Sequence, residues 1–149
     1  MKLPFPHTKI TGRFGTLSEF RKARGMQPHS GLDFGLPEGT PIPALAKGTV
    51  TLQQFSKVLG NVTEYRVMAF DPKGDKKKKE IFYIAYSHLR AEGLPVGTKI
   101  DEGDTIGFVG NTGSASSGAH LHLTVSKQHK GVFGPTNVKI DPIEFIKAN

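Results

Sequence analysis

The chain has 149 residues, a formal net charge of +7 and no cysteine, and its length is sufficient for one domain with its own hydrophobic core. The lack of cysteine excludes disulfides and thiolate metal sites, so any bound metal ion must be held by imidazole and carboxylate groups. No apolar run approaches the roughly 18 residues of a membrane span, so we expect no transmembrane helix.

The N-terminal third predicts turns and short strands. The opening "MKLPFPHTKI" lacks the apolar core and cleavage site of a signal peptide, so if Met1 is the natural start we expect no secretory signal. The run "TLSEFRKAR", residues 16–24, predicts a turn or two of helix capped by Thr16 or Ser18. The run "GLDFG" is short and apolar, and strands are expected around Ile42 and Val50.

The strongest strand patterns lie in the middle of the chain, in "NVTEYRVMAF" and "EIFYIAYSHL". The lysine-rich run between them, residues 71–80, has turn chemistry and predicts the tip of a hairpin. Further short strands are expected in "GTKIDEGDTIGFVG" and "HLHLTVS", and Asp141 and Pro142 predict the start of a short C-terminal helix. The predicted fold is mainly β: a single compact domain, residues 1–149, of antiparallel sheet with short loops and a short C-terminal helix.

The positive charge favours polyanionic partners such as nucleic acid or an anionic cell wall. A nucleic-acid site would interleave basic residues with aromatic ones along a strand or helix, and the chain has no such pattern. We therefore expect no nucleic-acid partner and keep anionic cell-wall polymers as possible partners.

Two histidine motifs predict a metal site. In "SGAHLHLTVS" a strand would direct His120 and His122 to the same face, because the side-chain period of a strand is two. In "QPHSGLDFG", Gly31 would let the backbone fold sharply so that His29 and Asp33 converge on one ion. A catalytic zinc ion needs three nitrogen or oxygen ligands and an open position. The two motifs supply these ligands and leave one imidazole over.

These motifs resemble the signature of the lysostaphin-type (LytM-like) zinc peptidoglycan endopeptidases. The family carries His-x3-Asp, then a histidine after a Tyr-Ala/Ser pair, then His-x-His, and "HSGLDF", "AYSHL" and "SGAHLHLTV" stand here in that order. The glycine-rich stretches "LPEGTPIPALAKGTV" and "GDTIGFVGNTGSASSGAHLH" are also similar. The likeness covers roughly residues 10–145.

The resemblance implies a role for each motif residue. His29, Asp33 and His122 match the zinc ligands, and His120 and His88 match the two catalytic histidines. It implies one Zn²⁺ per chain, a metal-activated water as nucleophile, and histidine general acid–base catalysis on a peptide bond of bacterial peptidoglycan. Which of the two histidines is the base stays open, and so does the bond, a glycyl bridge or a D-alanyl-diaminopimelyl cross-link.

The chain also departs from the family pattern. Thr124 stands where the family strand usually carries glutamate, which predicts altered contacts around the site with activity retained. The differing loop 15–28 is expected to shape substrate preference, and His7 and His129, outside the motifs, are expected on the surface.

Several alternatives concern the whole protein. A relative that binds the wall or activates another hydrolase without cutting remains the alternative function. We expect a monomer that acts on the cell wall as a phage lysis or virion-associated enzyme, or otherwise an excised catalytic domain.

Overall fold

The computed structural model describes residues 1–149 and consists mainly of antiparallel strands. None of its helices has both the length and the apolar character needed to cross a bilayer. The strands are β1 Ile10–Gly12, β2 Leu32–Gly35, β3 Pro41–Pro43, β4 Gly48–Ser56, β5 Gly60–Ala69, β6 Glu80–Leu89, β7 Lys99–Ile100, β8 Thr105–Phe108, β9 His120–Ser126 and β10 Lys139–Ile140; the α-helices are α1 Glu19–Ala23 and α2 Pro142–Lys147.

The main sheet has the order β1-β2-β9-β6-β5-β4-β7, with β10 added beside β9, and every neighbouring pair is antiparallel. Strands β3 and β8 form a second, two-stranded sheet. Strand β9 thus lies inside the sheet between β2 and β6, which are distant from it in sequence. This topology brings the two histidine motifs onto neighbouring strands.

The predicted local elements are confirmed. Strands β5 and β6 form the hairpin, with Ala69 opposite Glu80 at its tip. Helix α1 is capped by Ser18, whose hydroxyl accepts a hydrogen bond from the Arg21 amide. Helix α2 begins at Pro142, and the Asp141 carboxylate accepts a hydrogen bond from the Ile143 amide at 2.9 Å. The mainly β fold class predicted from the sequence is therefore correct.

The two faces of the main sheet differ in character. One face carries most of the hydrophobic core, including Tyr65, Tyr86 and Leu123, all fully buried. The hydroxyls of Tyr65 and Tyr86 lie 2.9 Å apart, and Tyr86 also donates to the carbonyl of Pro43 at the end of β3. These hydrogen bonds satisfy the polar ends of both rings inside the core. The opposite face of the sheet is free to carry polar side chains.

Candidate metal centre and active site

The register between β2 and β9 puts Asp33 directly opposite His122. Directly opposed residues of an antiparallel pair have Cβ atoms about 5 Å apart on the same face, so their side chains can share one ligand. Gly35 lies opposite His120 in the same register. Strand pairing alone therefore determines where two of the three predicted metal ligands meet.

His29 reaches the same place from the turn before β2. Its Nε2 lies 3.0 Å from Asp33 Oδ2, and its Nδ1 lies 3.1 Å from the Arg13 carbonyl. Because the carbonyl can only accept, Nδ1 carries the proton and Nε2 offers its lone pair to the site. Gly31 is needed for close approach, since a Cβ there would lie 2.7 Å from His122 Cε1 and 2.5 Å from the Leu123 carbonyl oxygen.

The three predicted ligands converge on one point. His122 Nδ1 lies 2.8 Å from Asp33 Oδ1, and one donor atom from each of His29, Asp33 and His122 lies within 4.8 Å of the others. His29 and His122 are buried, and the Asp33 side chain is 21% exposed, so the cluster opens to solvent on one side. The arrangement is a partly enclosed site with an open face.

The electrostatics of the cluster favour a cation. Burial alone would raise the pKa of Asp33, but its close contacts with His122 and His29 outweigh burial and hold the pKa well below its usual range. Burial lowers the pKa of His122, although Asp33 opposes that effect. The site therefore presents an ionised carboxylate and a neutral imidazole, which are the protonation states that metal ligation requires.

This donor set fits zinc. Two imidazole nitrogens and one carboxylate oxygen are a known ligand combination of catalytic zinc sites, in which a fourth position stays open. The open side beside Asp33 leaves room for that fourth position.

His120 lies at the rim of the cluster. Its Nε2 is 3.9 Å from Asp33 Oδ1, and its side chain is 17% exposed. Its Nδ1 lies 2.8 Å from the Gly118 carbonyl and 3.1 Å from Ser116 Oγ. Nδ1–H therefore donates a hydrogen bond to the Gly118 carbonyl. Nε2, which faces the Asp33 carboxylate, keeps a free lone pair.

His88 reaches the cleft through an unusual backbone conformation. In a regular strand it would point to the core face, because its neighbour Ser87 lies opposite His122. Instead His88 has a φ of +61°, in the left-handed region, and its ring lies with its centroid 4.7 Å from that of His120. Such a conformation costs free energy in a non-glycine residue and is concentrated at functional sites.

The tautomer of His88 is determined in the same way as that of His120. Its Nδ1 lies 2.7 Å from the Thr112 carbonyl, so Nδ1–H donates and Nε2 is free to accept a proton. Burial lowers the pKa of His88 to about 4, so the ring is neutral at neutral pH. One loop, residues 110–118, thus orients both non-ligand histidines with two of its carbonyl groups.

Sequence reasoning missed the burial of three polar residues on the face that carries the histidines, although it had singled out Thr124 as a departure from the family pattern. Ser87 and Thr124 have hydroxyl oxygens with no hydrogen-bond partner, and Glu64 is completely buried. Glu64, Ala85 and Thr124 form one cross-strand row, beside the row that contains Asp33, His122 and Ser87. For Glu64, the available sequence signal was a charged residue among the apolar neighbours in "NVTEYRVMAF".

The two remaining histidines differ. His7 is exposed, as predicted. His129 is exposed on one side only, since its side chain is 44% accessible and its Nδ1 lies 2.7 Å from the buried Glu64 Oε1. The expectation of a plain surface histidine at this position was therefore incomplete.

Comparison with known proteins places the chain in a family. Residues 27–134 match the model of "Peptidase family M23". An uncharacterized metalloprotease of Buchnera aphidicola is 33% identical over 141 residues, 93% of this chain and 34% of that protein. The peptidoglycan DD-endopeptidase ShyA of Vibrio cholerae is 33% identical over 141 residues, 95% of this chain and 27% of that protein.

Solved structures agree in fold. The structure of LytU superposes with a TM-score of 0.70 at 31% identity, covering 99% of this chain and 90% of that one. The catalytic domain of lysostaphin from Staphylococcus simulans has a TM-score of 0.67 at 24% identity, covering 91% of this chain and 89% of that one. The chain spans about a third or less of the length of the two curated relatives described above. With a family match that includes all five motif residues, this chain belongs to peptidase family M23.

Proposed function

We propose that this protein is a zinc-dependent endopeptidase that hydrolyses peptide cross-links of bacterial peptidoglycan, with residues 1–149 acting as one metallopeptidase domain. The observation that carries the proposal is the position of two oriented histidines beside a three-donor cluster. The rings of His88 and His120 are in tilted contact, and each keeps Nε2 free while its Nδ1 is bonded to a loop carbonyl. The cluster itself consists of His29, Asp33 and His122.

The chemistry divides between metal and protein. A bound zinc ion would supply Lewis acidity, which activates water and polarises a peptide carbonyl at neutral pH. His29, Asp33 and His122 would hold the ion. Nε2 of His88 or His120 takes a proton from the attacking water and returns it to the leaving amine. The second ring takes a proton from solvent at Nε2 and then donates a hydrogen bond to the oxygen on which negative charge develops.

We propose the D-alanyl cross-link as the bond that is cut. The support comes from a relative: the peptidoglycan DD-endopeptidase ShyA is 33% identical to this chain over 141 residues. The loop 15–28 borders the site through hydrogen bonds between His29 and the backbone of Gly15 and Thr16, and we propose that it contributes to substrate preference.

The proposal predicts a specific product pattern. Incubation with purified cell walls should release soluble fragments, and mass spectrometry of defined cross-linked muropeptides should show two products separated at the D-alanyl–diaminopimelyl bond. A chelator should abolish the reaction, and added zinc should restore it. If the protein instead cleaved only walls with pentaglycine bridges and released glycine-containing fragments, the glycyl bridge would be the bond that is cut.

The alternative is a relative that binds the wall or activates another hydrolase without catalysis. Such a protein has no need for two oriented proton acceptors beside its metal ligands, so the geometry of His88 and His120 favours an enzyme. Binding of walls with zinc bound, but without any cleavage of walls or muropeptides, would support the alternative instead.

We also propose anionic cell-wall polymers as partners of the hairpin tip between β5 and β6. Lys76 to Lys79 are exposed there, just before Glu80, which lies about 26 Å along β6 from His88. Changing all four lysines to glutamine should weaken salt-sensitive binding to phosphate-rich walls, because it removes four positive charges from a net +7. Muropeptide cleavage should stay the same, and unchanged wall binding at low salt would exclude this surface.

A further inference from the structure

The completely buried Glu64 has no lysine or arginine partner. Its carboxylate is instead satisfied by three donors: Thr51 Oγ1 at 2.8 Å and His129 Nδ1 at 2.7 Å to Oε1, and the Lys130 amide at 2.7 Å to Oε2. Burial of a carboxylate is costly unless such hydrogen bonds are formed, so this position has a specific role.

Two of the three donors belong to one segment, residues 127–134, which we name the 127–134 loop. Lys130 has a φ of +61°, an unfavourable left-handed conformation for lysine, and its own amide is the group bonded to Glu64. Gly131 packs tightly onto β9, since a Cβ there would lie 2.1 Å from Ser126 Oγ. Glu64 therefore holds the loop at the point where its backbone is least favourable.

The 127–134 loop covers the sheet beside the metal cluster. Its Val132 packs on Val62 and Ala85, and Ala85 lies on the face that carries His122. The row of Glu64, Ala85 and Thr124 is two residues further along β9 than the row of Asp33 and His122, a separation of about 7 Å. Through Glu64 and Ala85 the loop thus contacts a row of the sheet that lies about 7 Å from the row of Asp33 and His122.

We propose that Glu64 is a positioning residue that holds the 127–134 loop as a fixed wall of the substrate cleft and thereby determines affinity for the substrate peptide. The inference rests on the proposed peptidase function. Glu64 does not contact the reacting groups, so its loss should act on KM rather than on kcat. A preformed wall binds the peptide without the entropic cost of ordering the loop at each binding event.

The test compares variants that remove one donor or the acceptor. Glu64→Gln replaces an acceptor of three hydrogen bonds with a group that itself donates, so the loop should open. We expect KM for a defined muropeptide to rise about tenfold or more, with kcat and zinc content near those of the unaltered protein. Tryptic cleavage after Lys127 and Lys130, located by mass spectrometry, should accelerate by a similar factor.

His129→Ala and Thr51→Val form a matched pair. Each removes one hydrogen bond to Glu64 Oε1, but only His129 belongs to the loop. We expect His129→Ala to raise both KM and tryptic cleavage of the loop, and Thr51→Val to leave the tryptic pattern unchanged. If circular dichroism shows that Glu64→Gln does not fold, the comparison of His129→Ala with Thr51→Val tests the positioning role of Glu64 by itself.

Three results would overturn the proposal: equal tryptic behaviour of His129→Ala and Thr51→Val, unchanged loop cleavage in a folded Glu64→Gln, or loss of zinc from that variant. If the unaltered protein cleaves no muropeptide, the proposed function fails. The tryptic comparison still decides whether Glu64 positions the loop, because it does not depend on activity.

Discussion

Asp33→Ala should yield a folded protein that contains little zinc and does not hydrolyse peptidoglycan, whereas the unaltered chain should carry about one zinc ion. Asp33 is the only carboxylate of the cluster, and both histidine ligands contact it, His29 at 3.0 Å and His122 at 2.8 Å. Its removal takes away one of three ligands and the negative charge that offsets the cation. Elemental analysis after gel filtration, together with wall turbidity, measures both effects.

The control is Asp101→Ala, which removes an exposed carboxylate from the turn between β7 and β8. It should retain zinc and activity. Full hydrolysis by a demonstrably metal-free preparation of the unaltered protein would exclude the metal mechanism. Normal zinc content in Asp33→Ala would mean that the ion is held elsewhere.

His120→Ala and His122→Ala should fail in different ways, although the two residues are separated only by Leu121. His122→Ala leaves two ligands and should lose most of its zinc. His120→Ala should keep zinc and fold while turnover falls by about 10²–10⁴-fold, the usual cost of losing a positioned acid–base group. Zinc content measured beside the muropeptide cleavage rate separates the two outcomes.

His88 needs a different substitution because of its left-handed backbone. Asparagine tolerates a φ of +61° better than alanine and cannot serve as a base at neutral pH, so His88→Asn is the suitable variant. It should behave like His120→Ala, with zinc retained and turnover lost. The control is His7→Ala, since His7 is exposed and outside the cluster. Loss of zinc from His120→Ala, with metal and activity retained in His122→Ala, would reverse the proposed roles.

The sequence predicted those features that depend on local pattern. Alternation in "HLHLTVS" correctly placed His120 and His122 on one face, because the period of a strand is a property of the extended backbone itself. The β5–β6 hairpin and the cap of α2 were equally local, since turn residues and an Asp-Pro pair act within a few positions. The order of the motifs was sufficient to identify the family.

The expectation for Gly31 was only partly correct. The sequence indicated a glycine that allows a sharp fold between His29 and Asp33. In the structure the reason is the ring of His122 on β9, which occupies the space that a side chain at position 31 would need. The neighbour that makes glycine necessary is more than 90 positions away in the chain, so no local pattern could reveal it.

What only the tertiary structure decided is how the remaining polar groups are oriented. Strand alternation would turn the His88 ring to the core; its left-handed backbone turns it to the cleft, and the Thr112 carbonyl on a distant loop selects its tautomer. Likewise, the sequence shows Glu64 only as a charged residue in a buried strand. Its hydrogen bonds with His129 and Lys130 are visible only in the tertiary structure. Periodicity carries the direction of a side chain within one strand, whereas hydrogen-bond partners and backbone strain depend on contacts that exist only after the sheet has assembled.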